Sequence, residues 1–260
     1  MLRRKLAALA LLACMPAFAA QTEKLNVRSG DVDVPVEVTR PDGRGPFPAV
    51  LYIHAKRGFD DVDRAHMEAL AAQGFLVLAP DYLSGRFIER WPDRHYPETE
   101  ADVEAALDAL LKRADVCRGP VAVLGKSRGG YYAVRLAAKR GRDLGAIATY
   151  YGHFQDPNAP EPQQLFRYAP EVNQLATPLL MLIGDADFEL RRMNNGRTFY
   201  ALIERGAPVE LQMYPMARRA FDFRNDQSPE EKIAARHAAA RVKDWFHRHL
   251  RLSADGRCPG

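Results

Sequence analysis

Residues 121–130 read Val121-Ala122-Val123-Leu124-Gly125-Lys126-Ser127-Arg128-Gly129-Gly130. A short apolar run stops at a glycine, small residues bracket a serine, and Tyr131 to Lys139 then take up helical spacing. Strand, tight turn and helix are the setting in which G-x-S-x-G forms a nucleophile elbow. The turn is so tight that Cβ groups at 125 and 129 would meet neighbouring backbone, which explains the two glycines. It lifts Ser127 above the sheet at the start of a helix, where the Arg128 N–H can face a developing oxyanion.

Working outward, residues 25–28 and 32–39 read as two short strands around Ser29-Gly30-Asp31, a hairpin signal. Residues 49–53 and 75–79 are continuous apolar runs, as buried parallel strands require. Helical spacing is expected over 62–73, 98–113 and 193–205. Further strands are expected at 145–151, 179–183 and 209–214, and a long helix over 229–250, with Ser228 as N-cap and Pro229 at its first position. Strands alternating with helices after an antiparallel start predict a three-layer α/β fold, with a mostly parallel sheet and helices on both faces. The loop at 80–97 is long, and loops of that length usually carry function.

The 260 residues suit one α/β domain, here 20–260. With 27% charged residues, a net charge of +4 and no segregated basic block, nothing suggests nucleic-acid binding. Residues 1–19 read as a bacterial signal peptide: Arg3-Arg4-Lys5, an apolar run too short to span a bilayer, and Ala17-Phe18-Ala19 before the cut. This predicts a periplasmic or secreted protein without a membrane partner after cleavage. A second option, a lipid-anchored Cys14 after Leu11-Leu12-Ala13, fits the short apolar run less well. Export permits a disulfide between the two remaining cysteines, Cys117 and Cys258. Cys117 precedes the elbow strand, and a C-terminal helix antiparallel to the strands would return Cys258 to the same edge of the sheet.

The chain resembles α/β-hydrolases, and within them the dienelactone hydrolase family. The resemblance rests on residues 45–50, Ala79-Pro80-Asp81-Tyr82, the elbow, Tyr150-Tyr151-Gly152, Gly184-Asp185-Ala186-Asp187 and residues 214–222. It implies an α/β-hydrolase fold, hydrolysis of carboxylic esters or lactones, and no metal or organic cofactor. It also implies a nucleophile, acid and histidine in that chain order. Ser127 matches the nucleophile, where strict dienelactone hydrolases carry cysteine. The acid falls on Asp187, with Asp185 a weaker candidate.

The family's histidine segment resembles Y-P-G-A-x-H-x-F-D, but this chain reads Tyr214-Pro215-Met216-Ala217-Arg218-Arg219-Ala220-Phe221-Asp222. Arg219 stands at the position of the base, and a permanently protonated arginine cannot take the serine proton. Ala55 stands where the family places a glutamate. His153, after the strand at 145–151, is the alternative base. His54, ending the first central strand, is a candidate for substrate contact, and His95 lies on the long loop. His66, His237, His247 and His249 are expected on solvated helix faces.

Lys56, Arg57, Arg86, Lys126, Arg128, Arg218 and Arg219 all fall at the carboxyl edge of the sheet in this fold, and several converging would attract anions. An N–H near Lys56 pairs with that of Arg128 as the expected oxyanion hole, and Arg86 matches a family arginine that holds a substrate carboxylate. Two readings follow. One is an exported serine hydrolase of small esters or lactones; the other is a catalytically impaired relative that binds a small carboxylate through Arg219.

Overall fold

The computed structural model describes residues 21–159 and 166–259. The expected signal peptide at 1–19 lies outside the described residues. Eight strands form one sheet: β1 (Gln21–Ser29), β2 (Val32–Arg40), β3 (Ala49–Ile53), β4 (Leu76–Pro80), β5 (Val121–Lys126), β6 (Leu144–Tyr150), β7 (Leu179–Ala186) and β8 (Val209–Arg218). Their order across the sheet is β1-β2-β4-β3-β5-β6-β7-β8. The hairpin β1–β2 and the β2–β4 pair are antiparallel, and every later pairing is parallel.

Among the described residues, five α-helices cover the two faces: α1 (Asp61–Ala71), α2 (Glu98–Leu111), α3 (Gly129–Arg140), α4 (Glu189–Glu204) and α5 (Pro229–His249). Period-two alternation along the central strands sorts their side chains into two cores. Val50, Tyr52, Val77, Ala122 and Leu124 pack with Met67 of α1 and Val242, Trp245 and Phe246 of α5. Leu51, Ile53, Leu78, Val123 and Ile147 face Val103 and Leu107 of α2, Val134 of α3 and Leu202 of α4. Each fully buried Val, Leu, Ile or Phe contributes about 1.5–3 kcal/mol, so the all-apolar strands are stable only between two helix layers.

Helix ends follow from local chemistry. Ser228 accepts from Glu231 N while the Glu231 side chain takes the Ser228 N–H, a capping box with Pro229 at the first position. Asp60 and Asp63 do the same for α1. The expected Cys117–Cys258 disulfide is present, with Cα atoms 5.8 Å apart. It ties the segment after α5 to the edge from which β5 starts.

Candidate active site

The elbow is as tight as the sequence requires. Ser127 has φ 51°, in the left-handed region that costs a non-glycine residue on the order of 1–2 kcal/mol. A Cβ at Gly125 would sit 2.5 Å from Gly129 O, and one at Gly129 would sit 2.2 Å from Ile53 O. The strained serine is held by its neighbours: Ser127 N donates to Tyr150 O at 3.0 Å, and its carbonyl accepts from His153 N at 2.8 Å. That second bond draws the segment after β6 against the elbow and brings His153 to the serine.

Ser127 Oγ lies 3.2 Å from His153 Nε2. Arg219 follows β8 and fills the position expected of the base. Its Nη2 donates to Ser127 Oγ at 2.6 Å and lies 3.1 Å from His153 Nε2, while its Nη1 donates to Asp187 Oδ2 at 3.3 Å. Asp187, 4% exposed after β7, also accepts from Phe188 N at 2.7 Å. One guanidinium thus bridges the acid and the serine, as an imidazole would in a Ser-His-Asp triad. Because Arg219 can only donate, His153 Nε2 facing it is an acceptor, which fixes a neutral ring protonated at Nδ1.

The electrostatics agree with that tautomer. Burial first, then the charges of Arg191, Arg219, Arg128 and Lys56, hold the His153 imidazole well below its ordinary range. It is therefore a free base at neutral pH, but one on which a proton is poorly stabilised. Arg191 sits on the first turn of α4. Burial, followed by repulsion from Arg219 and Arg128, lowers its guanidinium to about 10. Among the described residues its buried Nη1 has no hydrogen-bond partner. A cavity of about 90 Å³ opens here, walled by Lys56, Arg128, His153 and Arg191, with His95 and Gln155 beside them.

Several expectations need correction. Lys126 does not join the positive mouth: it is 2% exposed and points behind the elbow to an ion pair with Asp222, its Nζ also 4.1 Å over the Tyr150 ring. Burial alone would raise the Asp222 carboxyl, but Lys126 and His66 outweigh it and hold it well below the usual carboxylate range. His66 is consequently no solvated helix residue: its Nε2 lies 3.1 Å from Asp222 Oδ2. Arg57 pairs with Asp60 and, at 2.8 Å, with buried Asp63. Arg218 is taken by Glu231 and Asp226.

The two residues expected to contact substrate are otherwise engaged. Arg86 makes a two-pronged pair with Asp102 of α2, at 2.6 and 2.8 Å, and is absent from the cavity wall. His54 is fully buried, stacked on Tyr82 at 4.0 Å, with Nδ1 bonded to Ala55 O at 2.7 Å. Lys56 and Arg128 do line the cavity. The residue missed from the sequence is Arg191. A second, larger cavity of about 400 Å³ lies by β1 and β2, and in its wall Lys24 and Arg64 both pair with Glu37.

Comparison with known proteins matches residues 34–250 to the dienelactone hydrolase family. A Yersinia pestis protein named as a carboxymethylenebutenolidase is 27% identical over 241 residues, covering 84% of each chain. The esterase NocK of Nocardia uniformis subsp. tsuyamanensis is 31% identical over 156 residues, 56% of this chain, which spans only 41% of NocK. Among solved structures, a dienelactone hydrolase of Klebsiella pneumoniae superposes with TM-score 0.74 at 22% identity, over 89% of this chain and all of that one. The metagenomic carboxylesterase EstE1 gives 0.67 at 17% identity, over 88% and 90%. At such identities the structural likeness establishes the fold, an α/β-hydrolase fold, and the sequence match establishes the family. The chain belongs to the dienelactone hydrolase family and is a hydrolase of the ester and lactone class.

Proposed function

We propose that this protein is an exported serine hydrolase of small, anionic carboxylic esters or lactones, with Ser127 as nucleophile and His153 as base. The observation that carries the reading is the 3.2 Å approach of His153 Nε2 to Ser127 Oγ, with that nitrogen unprotonated. Ser127 would pass its proton to His153 as it attacks the carbonyl, while Arg219 Nη2, already on Oγ, stabilises the growing alkoxide charge. Arg128 N–H, and an N–H near Lys56, would receive the oxyanion. Arg191, Arg128 and Lys56 supply the positive field that favours an anionic substrate. Export is supported by the leader at 1–19 and by the Cys117–Cys258 bond, which an oxidising compartment permits.

The alternative, a carboxylate-binding protein of impaired catalysis, has its own observation: the 2.6 Å bond from Arg219 to Ser127, which occupies the base's usual place. Hydrolysis of a short p-nitrophenyl ester separates the two. The hydrolase reading expects Ser127→Ala to lose on the order of 10³-fold or more in kcat, and His153→Ala roughly 10²–10⁴-fold. Equal background rates in wild type and Ser127→Ala would overturn it in favour of ligand binding.

A further inference from the structure

Ester cleavage needs a proton on the departing alkoxide as well as a base for the serine. His153 can accept the serine proton, but it stands among Arg191, Arg219, Arg128 and Lys56 and stores a proton badly. The same cavity contains a second imidazole with the opposite surroundings. His95, on the loop between β4 and α2, lines the wall with His153 and Arg128. Its Nε2 lies 2.9 Å from Glu100 Oε1, and its side chain is 4% exposed.

The pair is braced by the helix that follows the serine. Tyr131 OH donates to Glu100 Oε1 at 2.6 Å, and Arg135 Nε lies 2.6 Å from Oε2. The His95 ring meets Tyr131 edge-on, at 5.4 Å between centroids, and Tyr132 at 6.1 Å. Burial alone would raise the Glu100 carboxyl, but bonds from His95 and Tyr131 and the Arg135 charge hold it below the usual range. Glu100 is therefore an anion at working pH. It fixes the ring through Nε2–H and gives it a counter-charge, as a carboxylate does for the base of a triad.

We propose that His95, held by Glu100, is the proton donor to the leaving group and the proton acceptor from water when the acyl-enzyme is hydrolysed. This rests on the serine reading above. In acylation the Ser127 Oγ–carbonyl bond forms, the serine proton passes through His153 Nε2 to solvent, and the ester C–O bond breaks as the alkoxide takes a proton from His95 Nδ1. In deacylation water attacks the acyl carbon and returns a proton to His95 Nδ1. Ser127 Oγ then leaves and takes back a proton from solvent through His153. One ester and one water give one acid and one alcohol, and both histidines end as they began.

The test compares an ethyl ester and a p-nitrophenyl ester of the same acid, because nitrophenolate departs without a proton and ethoxide does not. In His95→Gln the ethyl ester should lose on the order of 10²-fold in kcat/KM. The p-nitrophenyl ester should give a burst of one equivalent of nitrophenolate followed by slow turnover, because deacylation lacks its base. Mass spectrometry of the quenched burst should find the acyl group on Ser127. Glu100→Gln, which keeps the size of the partner, should repeat the pattern more weakly and serves if His95→Gln does not fold. Wild-type turnover of both esters by the variants would reduce His95 to a brace for its loop. Equal losses on both esters, with no burst, would also overturn the proposal. Absence of an acyl adduct on Ser127 in wild type and variants alike would instead remove the serine reading beneath it.

Discussion

Lys126 and Arg128 flank the same serine, two residues apart, and they have opposite fates. Lys126 turns inward, where Asp222 and His66 receive it beside the Tyr150 ring. Arg128 turns outward to a cavity shared with Lys56, Arg191 and His153. Behind the elbow each cation has an acid: Lys126 has Asp222, and Arg57 has Asp60 and Asp63. In front of it, the buried acid Asp187 is already bonded by Arg219. Positive charge behind the serine is structural because it is neutralised there. Positive charge in front converges: Arg128 and Arg219 repel Arg191 there, and that surplus attracts an anion.

The largest expected effect comes from breaking the neutralised side. Asp222→Asn leaves Lys126 charged and buried without its counter-ion, a loss of about 3–5 kcal/mol. Chemical denaturation at pH 7 measures it. The sign with pH follows from the depressed carboxyl: its contribution is complete above the unfolded value, about pH 4, and is lost as pH falls through the lower folded value. The gap between wild type and Asp222→Asn should therefore narrow in acid. A gap that stayed constant below pH 4, or a variant as stable as wild type at pH 7, would break the contrast between the two sides.

The difference between the sides is also the difference between what could and could not be seen in the sequence. Apolar runs at 49–53 and 121–124 announced their strands because a strand between two helix layers must be apolar on both faces. Ser127 and Asp187 were legible as motif positions at strand ends, and Cys117–Cys258 from the return of the last helix. Partnership was not legible. Lys126 and Asp222 are 96 residues apart, and only the folded sheet brings them together. Arg86 looked available until Asp102 of α2 met it.

Two boundary errors had local causes. Helix α4 begins at Glu189, four residues before the expected 193, because Phe188 caps it without a side-chain bond and offers no Ser, Thr or Asp signal. That hidden first turn contains Arg191. Strand β8 runs on to Arg218, past the expected end at 214, because it is the sheet's edge, where Pro215 is tolerated. The extension delivers Arg219 to the serine.

The smallest effect, and the sharpest on the surplus side, is expected from Arg191→Gln. Among the described residues its buried Nη1 has no hydrogen-bond partner, so removing the charge should cost no stability. If substrate anions use the surplus, KM for a carboxylate-bearing ester should rise about tenfold, near 1.4 kcal/mol, while a neutral ester of similar size is unaffected. The pH profile supplies the second half of the comparison. After burial itself, Arg191 is the cation that depresses His153 most. With it gone the imidazole binds a proton more readily, so the acid limb of kcat/KM, set by protonation of the base, must move to higher pH. The stability linkage has the same sign. A buried neutral histidine favours the folded state above its unfolded value, about pH 6.5, and that advantage disappears as pH falls through the folded value. A higher folded value makes the lost advantage smaller, so Arg191→Gln should be less acid-sensitive than wild type. An acid limb that stayed in place would mean that His153 does not take the serine proton, and the surplus charge would then belong to binding alone.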